Sequence, residues 1–300
     1  MFRSAFPVPT ILPIRHLRSL PLDRLISRDA PNAEAIEMDV VIVGAGPAGL
    51  ACALELDRLA KQDREAGGEM PDLSIAVLEK AGSLGEHSLS GAVVNPRAFR
   101  ELFPDVKVEE LPFRQPVETE SVYLLTERRA QRIPTPPTMH NKGYYTASLC
   151  EIVRWLGERA EQAGINLFAG FPVDSLLVEN SVVRGVRTAP SGLDRDGKPG
   201  SGYAEPTDVT ARVTVLAEGT RGLLAQAYRE WQHIGSSNPQ LFALGVKEVW
   251  QTTRPLDRVV HTLGWPLPTD AFGGSFMYPL GPDQVALGLV VGLDYHDVDL

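Results

Sequence analysis

The stretch that decides the fold is Asp39-Val40-Val41-Ile42-Val43-Gly44-Ala45-Gly46-Pro47-Ala48-Gly49. Four β-branched residues run into a G-x-G-x-x-G turn, and a helix-like segment follows. That order of strand, tight turn and helix is the context in which this glycine pattern binds a dinucleotide. Gly44 permits the turn, Gly46 lets the backbone approach a pyrophosphate, and Gly49 lets the helix pack close to the strand. Pro47 suits the first helical turn, where a missing N–H costs nothing. Val43 and Ala48 complete the loop, and the helix start offers free N–H groups and a positive dipole end to phosphates.

Working outward, the next strand reads Leu73 to Lys80 and ends in Glu79. A carboxylate there can accept both hydroxyls of an adenosine ribose, with Lys80 beside it. The alternative is a solvated strand-end charge. Glu79 lies 30 positions beyond Gly49, more than the usual spacing of about 20, and the polar stretch 61–72 accounts for the excess as a surface insertion.

The 300 residues suit two interleaved domains, and 43% apolar residues can build a core. A formal charge of −9 argues against a nucleic-acid partner. The two cysteines, Cys52 and Cys150, form no C-x-x-C, and the six histidines form no H-x-x-x-H pair. No metal site is expected from this chain, and both thiols read as buried small hydrophobes in helices. No uninterrupted run of 18 or more apolar residues exists; Val40 to Leu54 is broken by three glycines and a proline. The first 28 residues carry five arginines against one aspartate. They resemble a transit peptide, and an N-terminal extension of a bacterial protein fits equally. The ordered fold is expected to begin near Met38.

Residues 81–147 read as loop-rich because of their prolines. A helix is expected over 148–163, a strand over 165–169, a hairpin over 176–188 turning at Asn180-Ser181, and a loop over 190–206. The strand Val213 to Leu216 ends in Ala217-Glu218-Gly219. This resembles the second signature of glutathione-reductase-type flavoproteins and points to FAD rather than NAD. Segments 242–250, 261–266 and 284–291 read as strands of a second sheet on the substrate side of the flavin.

Taken together, the chain resembles the electron-transfer flavoprotein–ubiquinone oxidoreductase family. The segments that carry the resemblance are 44–50, Gly85-Glu86-His87-Ser88-Leu89-Ser90-Gly91-Ala92, 95–99, 101–105, 244–250, 261–267 and Gly273-Gly274-Ser275-Phe276-Met277-Tyr278. The resemblance implies an α/β fold: a glutathione-reductase-type, Rossmann-like FAD domain (38–113 and 148–235) interleaved with a β-rich quinone domain (114–147 and 236–300). Residues 1–37 would be an extension, and the chain would be the N-terminal part of a larger protein. It implies FAD held by the loop residues and Glu79 and Lys80, together with Ser90, Gly91, Val173, Ala217, Glu218 and Gly219. Gly273 and Gly274 would line the ubiquinone pocket; an ordinary strand bulge is the alternative. Electron-transfer flavoprotein and ubiquinone would be the partners. Attachment would be to one membrane surface, the mitochondrial inner or bacterial cytoplasmic membrane, through 86–103. Phe99, Leu102 and Phe103 would be either a lipid-facing wedge or core packing. A [4Fe–4S] cluster is expected only in the full-length protein. The cofactor carries the redox chemistry, so no catalytic acid or base is named.

Relatives usually have Tyr before the Gly-Gly-Ser, and this chain has Phe272, which removes a hydroxyl from the quinone mouth. Rival readings are another FAD enzyme of the same fold, geranylgeranyl-reductase-like or aromatic-hydroxylase-like, or an inactive truncated fragment.

Overall fold

A computed structural model describes residues 20–89, 91–238 and 240–295 of the protein. Its centre is four parallel strands, Asp208–Leu216, Ile36–Val43, Ile75–Glu79 and Asn166–Ala169, side by side in that order. Val40–Val43 and Ile75–Leu78 are buried, as uninterrupted β-branched and aliphatic runs require when both sheet faces are covered. Helices Pro47–Glu65 and Leu149–Gln162 pack Leu50, Leu54, Ile152 and Leu156 on one face. Helix Leu223–Trp231 packs Leu224 and Ala227 on the other. A hairpin, Val173–Glu179 and Val182–Thr188, extends the sheet next to Asp208–Leu216. It turns on Asn180 and Ser181, both left-handed at φ 49° and 64°, the conformation a two-residue hairpin loop demands.

The second sheet has six strands in the order Ala243–Gln251, Gln284–Gly292, Gly273–Pro279, Val259–Gly264, Glu120–Leu125 and Ala130–Ile133. A three-stranded sheet of Ala92–Val94, Tyr145–Ala147 and Phe113–Pro116 lies between. The expected strands of the second sheet are all present. The expectation of loop over 81–147 is corrected: five short strands lie there, each of three to six residues and bounded by prolines or turns.

Two further expectations are corrected. The fold starts well before Met38. Leu22–Leu25 is a helical turn and Ile26–Ser27 pairs in parallel with Leu176–Leu177. Leu25 and Ile26 are buried because the turn and the strand pairing bring them onto the core with Leu176 and Leu224, which the arginine count masked. Residues 1–19 lie outside the described residues. The 190–206 segment is a β-ribbon, Ser191–Leu193 with Pro199–Ala204. Asp194 Oδ1 closes its turn by accepting the N–H groups of Asp196 and Lys198, at 2.9 and 2.8 Å.

Candidate functional site

The parallel strands end at Val43, Glu79, Ala169 and Leu216, and a cleft opens at these carboxyl ends, where ligands of open α/β sheets bind. Its volume is about 400 Å3. Val43, Gly44, Gly46, Glu79, Lys80, Val173, Ala217, Glu218 and Gly219, all named from the sequence, line it. So do His87, Ser88, Pro172, Arg221, Gly222 and Leu223, which were not. His87 and Ser88 lie within a motif already singled out, Arg221 two residues beyond another, and only the fold shows which of these residues turn inward. Pro47, Ala48 and Gly49 stand behind the loop as the helix start. Ser90 lies outside the described residues.

The three loop glycines are glycine for different reasons. Gly44 has φ +104°, and a Cβ on it would stand 2.5 Å from the Ala217 carbonyl oxygen. A Cβ on Gly49 would land on the Gly44 carbonyl oxygen. Both are demanded by the backbone. Gly46 is different: its φ of −74° and ψ of 179° suit any residue, and a Cβ there would meet nothing within 4 Å. The protein itself does not require glycine at that position, and the space it keeps clear opens into the cleft.

The helix Pro47–Glu65 begins without a side-chain cap and without an acidic residue in its first turn. Its N-terminal N–H groups and dipole are thus offered to the cleft rather than used internally. The Glu79 carboxylate accepts Ala45 N–H at 2.9 Å and Ala81 N–H at 2.8 Å. It fastens the loop to the strand end, and each oxygen retains lone-pair capacity for a ligand hydroxyl. Glu218 accepts the N–H groups of Leu224 and Ala225, at 3.2 and 2.8 Å, and so caps the helix Leu223–Trp231. With both carboxylates tied to backbone donors, Lys80 and Arg221 remain in the cleft wall as cations, a setting suited to a diphosphate.

Gly273 and Gly274 lie in the second sheet, at φ +150° and +152°. A Cβ on Gly273 would strike the Val290 carbonyl oxygen, and one on Gly274 the Thr262 carbonyl oxygen. Neighbouring strands account for both glycines without any ligand. Beside them, His261 Nε2 lies 2.9 Å from the Tyr278 hydroxyl. Burial lowers the His261 pKa against an opposing pull from Glu120, and burial pushes the Tyr278 hydroxyl up to about 12. Cys150 contacts Ser148 Oγ at 2.9 Å, and burial raises the Cys52 thiol pKa. Both cysteines are only partly buried. Among the described residues no group of three or more His, Cys, Asp or Glu converges on a point that would hold a metal.

Of the two readings of Phe99, Leu102 and Phe103, lipid-facing wedge or core packing, the contacts favour the second. Phe99 packs edge-on against Phe113 at 5.1 Å and Phe103 against Trp155 at 4.9 Å, and all three join the core beneath the helix Leu149–Gln162. Trp155 supplies a partner that sequence separation hid. In the 86–103 stretch Leu89 is exposed, and a larger exposed apolar group lies elsewhere. Leu241, Phe242, Phe272 and Leu293 are exposed, Phe272 by 75%; Leu293 N–H donates to the Phe242 carbonyl and Gly292 N–H to the Phe272 carbonyl at one end of the second sheet. Among the described residues no helix is long and apolar enough to cross a membrane.

Residues 242–300 match the family described as ETF-QO, ubiquinone-binding. Electron transfer flavoprotein–ubiquinone oxidoreductase of Pseudomonas aeruginosa is 42% identical over 277 residues, which are 89% of this chain and 49% of that protein. The mitochondrial protein of Dictyostelium discoideum is 41% identical over 90% of this chain and 44% of its own length. The human one is 39% identical over 98% and 48%. Over nine-tenths of its length, this chain is a relative of electron transfer flavoprotein–ubiquinone oxidoreductase. It spans about half the length of these oxidoreductases. Among solved structures, a geranylgeranyl bacteriochlorophyll reductase-like protein from Thermoplasma acidophilum superposes with a TM-score of 0.59 at 18% identity, covering 85% of this chain and 57% of that one. A myxobacterial FAD-dependent halogenase gives 0.56 at 16%, covering 85% and 53%. These two establish the fold: a Rossmann-like sheet joined to a second β-sheet, as in flavin-dependent enzymes.

Proposed function

We propose that this chain holds FAD in the cleft and forms the quinone side of an oxidoreductase that passes electrons from reduced electron-transfer flavoprotein to ubiquinone. The observation that carries the cofactor reading is the clear space at Gly46, beside an uncapped helix N-terminus and two cleft-wall cations. FAD, when bound, supplies the redox chemistry. The helix start and Gly46 would receive its pyrophosphate, and Glu79 the adenosine ribose. Lys80, Val173 and Ala217 to Gly219 would wall the cleft, while Gly91 lies on the strap against the second sheet.

The match over 242–300 supports ubiquinone as the acceptor, with its site in the second sheet near Gly273 and Gly274. The exposed rim of Leu241, Phe242, Phe272 and Leu293 beside them gives a lipid-borne quinone an apolar approach and gives the protein a foothold on one membrane surface. The relatives named as mitochondrial and those from bacteria fit the inner and the cytoplasmic membrane respectively. A geranylgeranyl-reductase-like activity has only the shared fold behind it, at 18% identity. The test is direct. The chain is loaded with FAD, reduced by dithionite without oxygen and mixed with a short-chain ubiquinone. Reoxidation of the flavin, quickened by vesicles carrying the quinone, is expected. A flavin that ubiquinone leaves reduced overturns the quinone reading.

A further inference from the structure

The edge strand Ala243–Gln251 inverts the usual rule of burial. Eight of its nine side chains are exposed, Leu244, Val246, Val249 and Trp250 among them, and the one that is partly buried is Lys247. Its Nζ donates to the Gly91 carbonyl oxygen at 2.6 Å and lies 5.6 Å from the centre of the Phe276 ring. Withdrawal from water lowers the pKa of this ammonium, and no carboxylate pulls it back up. A half-buried cation without a counter-charge is costly. One backbone carbonyl satisfies one of its three donors. The remaining two suit a ligand that is anionic or rich in acceptors.

The position says which ligand. Lys80, His87 and Ser88 line the nucleotide cleft, and the same strap reaches Gly91 three residues later. There its backbone presses on the second sheet so closely that a Cβ on Gly91 would stand 2.5 Å from Ala286 Cβ. Lys247 is thus fastened to the strap three residues beyond Ser88, which lines the cleft. We propose that Lys247 is the cation that faces the reducible ring of the bound dinucleotide and favours its reduced, negatively charged state. This rests on the FAD reading above. Uptake of two electrons and one proton by an oxidised isoalloxazine leaves one negative charge spread over its N1 and C2 carbonyl. A fixed ammonium beside that region raises the reduction potential. A mere clamp between strap and sheet would leave the potential alone.

Three variants separate the roles. Lys247→Gln keeps a donor for the Gly91 carbonyl and loses the charge. Lys247→Met loses both, and Lys247→Arg keeps both. Each chain of 300 residues is loaded with FAD, its flavin content is measured, and its potential is read by equilibration with a reference dye. Lys247→Gln and Lys247→Met are expected to favour the oxidised flavin about tenfold more than wild type, a fall of about 30 mV for a two-electron couple. Lys247→Arg is expected to hold the wild-type potential. A wild-type potential in Lys247→Gln overturns this proposal while leaving the FAD reading intact. A wild-type chain that takes up no FAD overturns both.

Discussion

The two glycine-bearing segments that the sequence ties to ligands behave differently. At Gly273 and Gly274 the neighbouring strands occupy the place where a side chain would stand. At Gly46 nothing does. A glycine dictated by backbone contact is explained by folding alone, whereas one with an ordinary φ and open space that faces the cleft is free to serve a ligand. The same contrast runs through the charges. Asp208 is fully buried and held by Arg187 at 2.7 and 2.9 Å and by Asn32 N–H at 2.7 Å. Lys247 is half-buried and held by a single carbonyl. Committed residues make the fold, and uncommitted ones in the same surroundings point to ligands.

The comparison is tested hardest at the second sheet. Gly274→Val places a Cβ on the Thr262 carbonyl oxygen at a φ that L-residues avoid. A loss of about 4 kcal/mol or more in a denaturant titration is expected. A Gly274→Val chain of wild-type stability would return this pair to the quinone reading alone.

Next in size is Asp208. Burial raises its pKa, but Arg187 and the Asn32 N–H outweigh burial and the net shift is downward. A carboxyl whose folded pKa lies below its unfolded value of about 3.9 stabilises the protein above that pH. The contribution disappears as pH falls through the folded value. Asp208→Asn should therefore cost about 3 kcal/mol at pH 7, and the gap to wild type should narrow only below about pH 4. Equal stability at pH 7 would show that the N-terminal segment is not anchored there. Smaller still, Glu218→Ala should cost about 1 kcal/mol by uncapping the helix Leu223–Trp231, read from thermal unfolding. An unchanged melting temperature would free Glu218 for a ligand role instead.

How far these distinctions were legible in the sequence follows from their physical range. The strand–turn–helix around Gly44 is local, so the β-branched run and the glycine spacing disclosed it, as the Asn180-Ser181 pair between two apolar runs disclosed the hairpin. Glu79 was visible as a strand-end acid, but its bonds to Ala45 and Ala81 depend on how the loop folds back. The strands between 92 and 147 are too short, and too often flanked by proline, for periodicity to register. Phe99 and Phe103 look alike as a lipid wedge or as core until Trp155, some fifty residues on, is brought beside them. Gly46 and Gly274 are the same letter; the direction of the missing Cβ, and what lies along it, exists only in three dimensions.

The most direct measurement pairs stability with cofactor uptake at Gly46, a cleft-lining glycine with an ordinary φ and no atom where a Cβ would stand. Gly46→Val should unfold within about 1 kcal/mol of wild type, since only the helix cap is affected. In the same preparation its FAD content should fall at least tenfold, because the side chain fills the space kept for the pyrophosphate. A Gly46→Val protein that retains wild-type FAD content would contradict the account, and so would a wild-type chain that takes up no FAD.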